Sequence, residues 1–183
     1  MSKVTIAGDA NGTGVFTIAA PNGNTNRTLT LPDEAGTILT TATAGVPIGG
    51  PAFSAYQSSS QTISAATATK ILFQTELFDT NSNYSTSTSE FIPTVAGYYQ
   101  VSTAVRIAGS TSRMLLAIRK NNVKIKVLQD IGSSLYALGG SVLIYMNGTT
   151  DYLTVFIEYS AAGGGIENSA ADTYFEAVMV RSA

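Results

Sequence analysis

The sequence predicts an all-β protein: a short β-rich N-terminal module over 1–43, a linker over 44–50, and a sandwich or jelly roll over 51–183. Three observations predict this class. Strand-length apolar runs recur along the whole chain, Asn, Gly, Pro and Ser punctuate the gaps between them, and no segment shows helical periodicity. Only 12% of the 183 residues are charged while 44% are hydrophobic, so Gly, Ser, Thr and Asn fill the polar positions. That profile suits a rigid all-β protein more than an enzyme or a disordered chain.

The N-terminal module reads as short β-branched runs separated by turns. Val4-Thr-Ile6 precedes Gly8-Asp-Ala-Asn11-Gly12, and Val15-Phe-Thr-Ile18 precedes Pro21-Asn-Gly23-Asn. Thr28-Leu-Thr-Leu31 precedes Pro32-Asp33-Glu34-Ala-Gly36, and Thr37-Ile-Leu39 closes the series. Asn-Gly and Pro-Asp pairs between such runs mark tight turns. Phe16 is the only aromatic residue before Phe53, and all nine tyrosines lie at Tyr56 or later. Without aromatic residues, hairpins of this size bury too little surface to be stable alone, so the module is expected to fold against a partner. The segment 40–50 is rich in small residues and holds Pro47 and Gly49-Gly50, as a linker does.

The remaining strands are expected at 53–57, 70–73, 98–108, 114–120, 123–128, 142–146, 152–159 and 174–181, separated by breaks such as Asn121-Asn122, Asn147-Gly148 and Gly163-Gly164-Gly165. In 98–108 the odd positions Tyr99, Val101, Thr103, Val105 and Ile107 form a core face, opposite Gln100, Ser102, Ala104 and Arg106. Later strands are apolar on both faces. Leu143 and Tyr145 oppose Val142, Ile144 and Met146; Leu153, Val155 and Ile157 oppose Tyr152 and Phe156; Phe175 and Met179 oppose Tyr174, Val178 and Val180. An antiparallel strand that is apolar on both faces needs a second buried surface, which association around a threefold axis supplies.

Two phrases carry a family resemblance. Phe91-Ile-Pro-Thr-Val-Ala-Gly97-Tyr98-Tyr99-Gln100-Val101, preceded by Phe73-Gln-Thr-Glu-Leu-Phe78-Asp79-Thr-Asn81-Ser-Asn-Tyr84, resembles the central signature of the C1q-like jelly roll over 51–183. The resemblance implies a trimer. Val4-Thr-Ile-Ala-Gly8-Asp9 and Leu29-Thr-Leu31-Pro32-Asp33-Glu34-Ala35-Gly36-Thr37-Ile38-Leu39 look like the N-terminal module of many bacteriophage fibre and virion proteins, in which a similar segment precedes a variable head.

Composition restricts the chemistry. There is no histidine and no cysteine, which removes the commonest base, nucleophile and transition-metal ligands, and any disulfide framework. A net charge of -2 argues against phosphate-backbone binding, so no nucleic-acid partner is expected. No run approaches the ~18 apolar residues of a membrane span, and the start lacks an apolar signal core, so a soluble protein made in the cytoplasm, without membrane insertion, is expected.

Glu158, Glu167, Asp172 and Glu176 are the carboxylates nearest to a glycosidase-like pair, but nothing in the sequence pairs them; Glu158 and Glu176 read as outward or interface polar residues. Gly163–Gly165 lacks the Lys-Ser/Thr of a phosphate loop and reads as a flexible loop. Asp9, Asn11, Asp79, Asn81 and Asn83 place oxygen ligands at alternate positions, as calcium prefers, yet Asx-turns account for both segments. Arg113, Arg119, Lys120, Lys124 and Lys126 form either a patch for anionic polysaccharide or a solvated strand face. The sequons at Asn11, Asn26, Asn83 and Asn147 carry no weight in a chain without an export signal.

No catalytic, cofactor-binding or metal-binding residue is therefore expected. The functional expectation is a non-enzymatic phage structural protein located in the virion: a homotrimer that attaches to capsid or tail proteins through 1–43 and displays its head. Capsid decoration competes with a short tail fibre that binds a host-surface receptor or glycan. The loops 57–61, 109–112 and 161–169 contain none of the tyrosines that a glycan site commonly presents, which favours decoration.

Overall fold

The computed structural model describes residues 50–108, 113–132, 136–160 and 164–183, together with 10–15, 17, 19, 22–26 and 28. The chain divides into two units, Met1–Thr37 and Ile38–Ala183. Of the first, a turn at Ala10–Asn11 and bends over 22–25 fall where the Asn-Gly pairs place turns. Most residues of the strands expected in 1–43 and of the linker, and Asp9, lie outside the described residues; Val15, Thr17 and Thr28, which are described, carry no strand.

The described part of the second unit contains no helix and is built from β1 (Ala52–Tyr56), β2 (Gln61–Ile63), β3 (Ala68–Lys70), β4 (Thr75–Asp79), β5 (Tyr84–Ser85), β6 (Glu90–Phe91), β7 (Gly97–Ala108), β8 (Met114–Lys120), β9 (Val123–Ile131), β10 (Ala137–Met146), β11 (Leu153–Tyr159), β12 (Gly164–Ile166) and β13 (Tyr174–Ser182). All pairings are antiparallel. In the first sheet β7 is central, with β10 along one edge; β13, β1 and β4 follow along the other, where β12 and β2 continue past the end of β13. In the second sheet β11 is central, with β8 and β9 on one side and β3, β6 and β5 on the other. The fold is a jelly-roll sandwich, as the strand spacing predicts.

The alternation of β7 survives intact: Tyr99, Val101, Thr103, Val105 and Ile107 are all buried against the second sheet. The short strands β2, β4, β5, β6 and β12 escape sequence reading, because two to five residues with Gly, Ser and Thr give no periodic signal. The expected strand at 70–73 lies mostly beyond β3, and Ile71 is fixed there by donating its backbone N–H to the Val155 carbonyl at 2.9 Å. The expected flexible loop at 163–165 is corrected in part: Gly164 and Gly165 belong to β12, which pairs with both β2 and β7.

Both signature phrases have a packing reason. Phe91 stacks on Phe53 at 4.6 Å, and Phe53 stacks on Tyr84 at 4.5 Å and meets Phe175 edge-on at 5.0 Å, which makes an aromatic centre for the sandwich. Burial pushes the Tyr84 phenol well above its ordinary range, and its hydroxyl donates to the Phe73 carbonyl at 2.8 Å. A Cβ at Gly97 would lie 2.4 Å from the Arg181 carbonyl oxygen, so the close approach of β13 demands glycine there. The two phrases are also tied together. The Thr94 N–H donates to Asn83 Oδ1 at 3.2 Å, and the Ile92 N–H donates to the Asn83 carbonyl at 2.7 Å.

Candidate functional site

The functional feature that the fold exposes is the outer face of the first sheet. Because β7 commits its odd positions to the core, its even positions face outward, and the register lines them up with outward residues of its neighbours. Tyr98 faces Tyr145, Gln100 lies between Leu143 and Val178, and Ser102 lies between Ser141 and Glu176, which faces Ser54. Tyr98, Leu143, Tyr145, Val178, Val180 and, on the edge strand, Phe78 remain 42–52% exposed. Two shallow grooves run across this face, one lined by Tyr98, Leu143, Val180 and Arg181, the other by Phe78, Gln100, Glu176 and Val178.

A polar row crosses the apolar face. Ser54 Oγ donates to Glu176 Oε1 at 2.8 Å, Ser102 and Ser141 share a hydrogen bond at 2.8 Å, and the Gln100 amide donates to Ser141. On a solvated surface such a row would be unremarkable, but it is enclosed by large apolar side chains. An apolar surface of this extent on one sheet marks an association face.

Pro51 and Ala183 both lie toward the end where Gly97, Met146 and Ser182 pair. At the opposite end β7, β9 and β11 finish and β8, β10 and β12 begin. There Tyr136 is exposed, next to the start of β10.

A model of the C1q domain matches residues 52–179. The chain belongs to the C1q domain family. Its C1q domain is similar to solved jelly rolls from distant sources. Murine APRIL (pH 8.5) matches with a TM-score of 0.55 at 14% identity, covering 71% of this chain and 98% of that one. The phage PRD1 vertex protein P5 matches with a TM-score of 0.52 at 16% identity, covering 72% and 74%. Eiger TNF from S. frugiperda matches with a TM-score of 0.51 at 11% identity, covering 73% and 95%. Among curated proteins, no sequence relative matches. At these identities the likeness shows the jelly-roll fold alone.

The residues singled out from sequence separate clearly in the C1q domain. Glu158 and Glu176 lie on opposite sheets. Glu158 binds Lys124 at 3.0 Å, with Arg119 at 4.0 Å. Glu167 and Asp172 do converge, but on an arginine: Arg106 lies 2.7 Å from one and 3.7 Å from the other. A guanidinium between two carboxylates makes an ion pair, not an acid–base pair.

Both carboxylate oxygens of Asp79 are engaged by backbone amides. Its Oδ1 accepts the Asn81 N–H at 3.2 Å and its Oδ2 the Tyr84 N–H at 2.7 Å, so an Asx-turn accounts for this segment. Among the described residues no cluster of acidic side chains forms a metal site. The sequon at Asn83 is buried, and its side chain serves the Thr94 contact.

Four of the five clustered cations are neutralised within the chain: Arg113 by Asp130 at 2.6 Å, Lys120 by Asp151 at 2.6 Å, and Arg119 and Lys124 by Glu158. The solvated-face reading describes this cluster better than a polysaccharide patch does. Sequence patterning also overstates the need for a partner at β11. The outward ring of Phe156 is covered by its own chain, with the Arg119 guanidinium 4.0 Å above it. β10 and β13 do keep a second exposed apolar face, and both lie in the first sheet.

Proposed function

We propose that this protein is a non-enzymatic structural component of a phage particle: a homotrimer that decorates the capsid as a cement or head-fibre protein, attached through 1–43 and displaying its C1q domain. The observation that carries the proposal is the apolar outer face of the first sheet. Its six half-exposed side chains leave on the order of 500 Å² in water, about 12 kcal/mol at roughly 25 cal/mol per Å² before association entropy is charged against it. A threefold ring covers such a face on every copy and matches the threefold positions of an icosahedral shell. The virion placement is supported by the phage-like phrases in 1–43 and by the shared fold of a phage vertex protein. Exposed Tyr136 favours one second reading, a short tail fibre whose loop end binds a host-surface glycan.

Sedimentation analysis of the whole chain and of Leu143→Glu, with particle incorporation of a chain lacking 1–43, tests the proposal. The wild type should sediment as a trimer at micromolar concentration, and Leu143→Glu as smaller species. The truncated chain should stay trimeric and be lost from particles. A wild-type monomer sinks the trimer, and a truncated chain incorporated at normal copy number sinks the anchor.

A further inference from the structure

The chain holds three Asn-Gly pairs, Asn11-Gly12, Asn22-Gly23 and Asn147-Gly148. Such a pair carries its own chemistry. Glycine has no Cβ, so its backbone nitrogen can swing onto the Cγ of the preceding side chain. The new N–Cγ bond closes a succinimide ring, the Cγ–Nδ2 bond breaks, and the amide group takes the proton of the attacking nitrogen and leaves as ammonia. Water then opens the ring. Cleavage at Cγ leaves aspartate, and cleavage at the backbone carbonyl leaves isoaspartate, with the main chain rerouted through the β-carbon. Closure requires that the side chain turn back over its own peptide and that this peptide rotate to meet it. The surroundings of a pair decide whether both movements are open to it.

The structure separates two of these chemically identical pairs. At Asn147 the side chain is fastened at both ends. Its Oδ1 accepts the N–H groups of Thr149, Thr150 and Asp151, each at 3.0 Å, and its Nδ2 donates to Thr150 Oγ1 at 2.8 Å. The Asn147 N–H itself donates to Asp151 Oδ2 at 2.9 Å. Gly148 is wedged as well, since a Cβ there would overlap the backbone of Val95 and Ala96. Ring closure at this pair has to break every one of the side-chain bonds and move the glycine away from that backbone. Asn22-Gly23 is the opposite case. Both residues are exposed in the bends over 22–25, and nothing lies within 4 Å of the place a Cβ would take at Gly23. Among the described residues no bond holds the Asn22 side chain.

We infer that Asn22-Gly23 is a site of spontaneous deamidation in the folded chain, and that the fold spares Asn147-Gly148. The change puts a carboxylate in place of a neutral amide, which adds negative charge to a chain of net charge -2. Its isoaspartate form also lengthens the main chain within a turn whose residues are chosen for their backbone geometry. The alteration therefore falls in the N-terminal module. At Asn147 it would set a new carboxylate beside the buried Asp151 and loosen the β10–β11 connection. The bonds that shape this turn thus also keep it chemically intact.

The test is peptide mapping by mass spectrometry of the whole chain after incubation at mildly alkaline pH, once folded and once unfolded in urea. Digestion in mild acid keeps the mapping itself from adding deamidation. The readout is the mass gain of amide-to-acid conversion at each asparagine, with the fragments that mark isoaspartate. In the folded chain Asn22 should react at least about tenfold faster than Asn147, because reaction at Asn147 waits for local opening of its turn. In urea the two rates should draw within about threefold of each other, since the neighbours that distinguish the pairs are gone. Gly23→Ala should slow the reaction at Asn22 and leave Asn147 unchanged, as a side chain on the attacking residue crowds the ring. An unchanged rate at Asn22 in that variant refutes attack by the residue 23 nitrogen. Asn147 reacting as fast as Asn22 in the folded chain overturns the protection. Asn22 staying intact in the folded chain while both pairs react in urea overturns the site at 22–23, and neither pair reacting in urea overturns both.

Discussion

Replacing Asp151 by Asn is expected to destabilise the C1q domain by about 2–3 kcal/mol at neutral pH, and the size follows from its surroundings. Asp151 is 6% exposed and joins two connections at the end of the sandwich. Its Oδ2 accepts from the Lys120 ammonium at 2.6 Å and from the Asn147 N–H at 2.9 Å, and its Oδ1 from the Asn121 amide at 2.8 Å. Burial pushes the carboxyl upward, but the bonds from Lys120, Asn121 and Asn147, with the Lys120 charge, outweigh it and hold the group below the ordinary carboxylate range. An amide keeps the shape but loses the charge and turns an N–H₂ toward one of these donors. Breaking a fully buried pair costs about 3–5 kcal/mol, and the lower figure applies because the stranded Lys120 can rehydrate. A loss of this size should lower the melting temperature by about 5–10 °C at fixed protein concentration. The pH dependence has a definite sign. Since the folded carboxyl titrates below the unfolded one, its contribution is complete above about pH 5 and is lost as pH falls through the folded value. Urea denaturation at pH 7 and thermal melts from pH 7 down to 3 should therefore show wild type and Asp151→Asn converging in acid. Equal stability at pH 7, or a gap that widens on acidification, would refute the reasoning.

Phe53→Ala should cost about 3–5 kcal/mol in urea denaturation, because the ring holds Tyr84, Phe91 and Phe175 together, while Phe53→Leu should cost less than half as much. Gly148→Ala should cost about 1–3 kcal/mol by the same assay: φ is +71° there, and a Cβ would lie 2.3 Å from the Ala96 nitrogen. Equal midpoints for wild type and Gly148→Ala would show that the β10–β11 connection is free to shift.

The sequence by itself determined the class of fold, the family and most of the long strands, although β9 runs three residues past the expected 123–128 and β10 starts five residues before the expected 142–146. β8 falls at 114–120 as predicted, and β7 and β13 differ from prediction by a residue. In these elements the side-chain period and the burial of one face coincide, so the pattern is written locally. The short strands were not legible: β5 and β6 are two residues each and exist because Tyr84 and Phe91 are drawn together in the aromatic centre. Tertiary structure also decided which two-faced strands need a partner. Tyr145, Val178 and Phe156 look alike as a pattern, yet Arg119 covers Phe156 from the adjacent strand, while Tyr145, with the Lys120 ammonium 5.6 Å from its ring centre, and Val178 stay nearly half exposed. Likewise the basic cluster reads as a patch until β9, β11 and the turns bring Asp130, Asp151 and Glu158 to it. Alternation along a strand is a property of one segment, set by backbone geometry. Whether a face is covered, or a charge neutralised, depends on what distant segments place beside it, and only the packed sheets fix that.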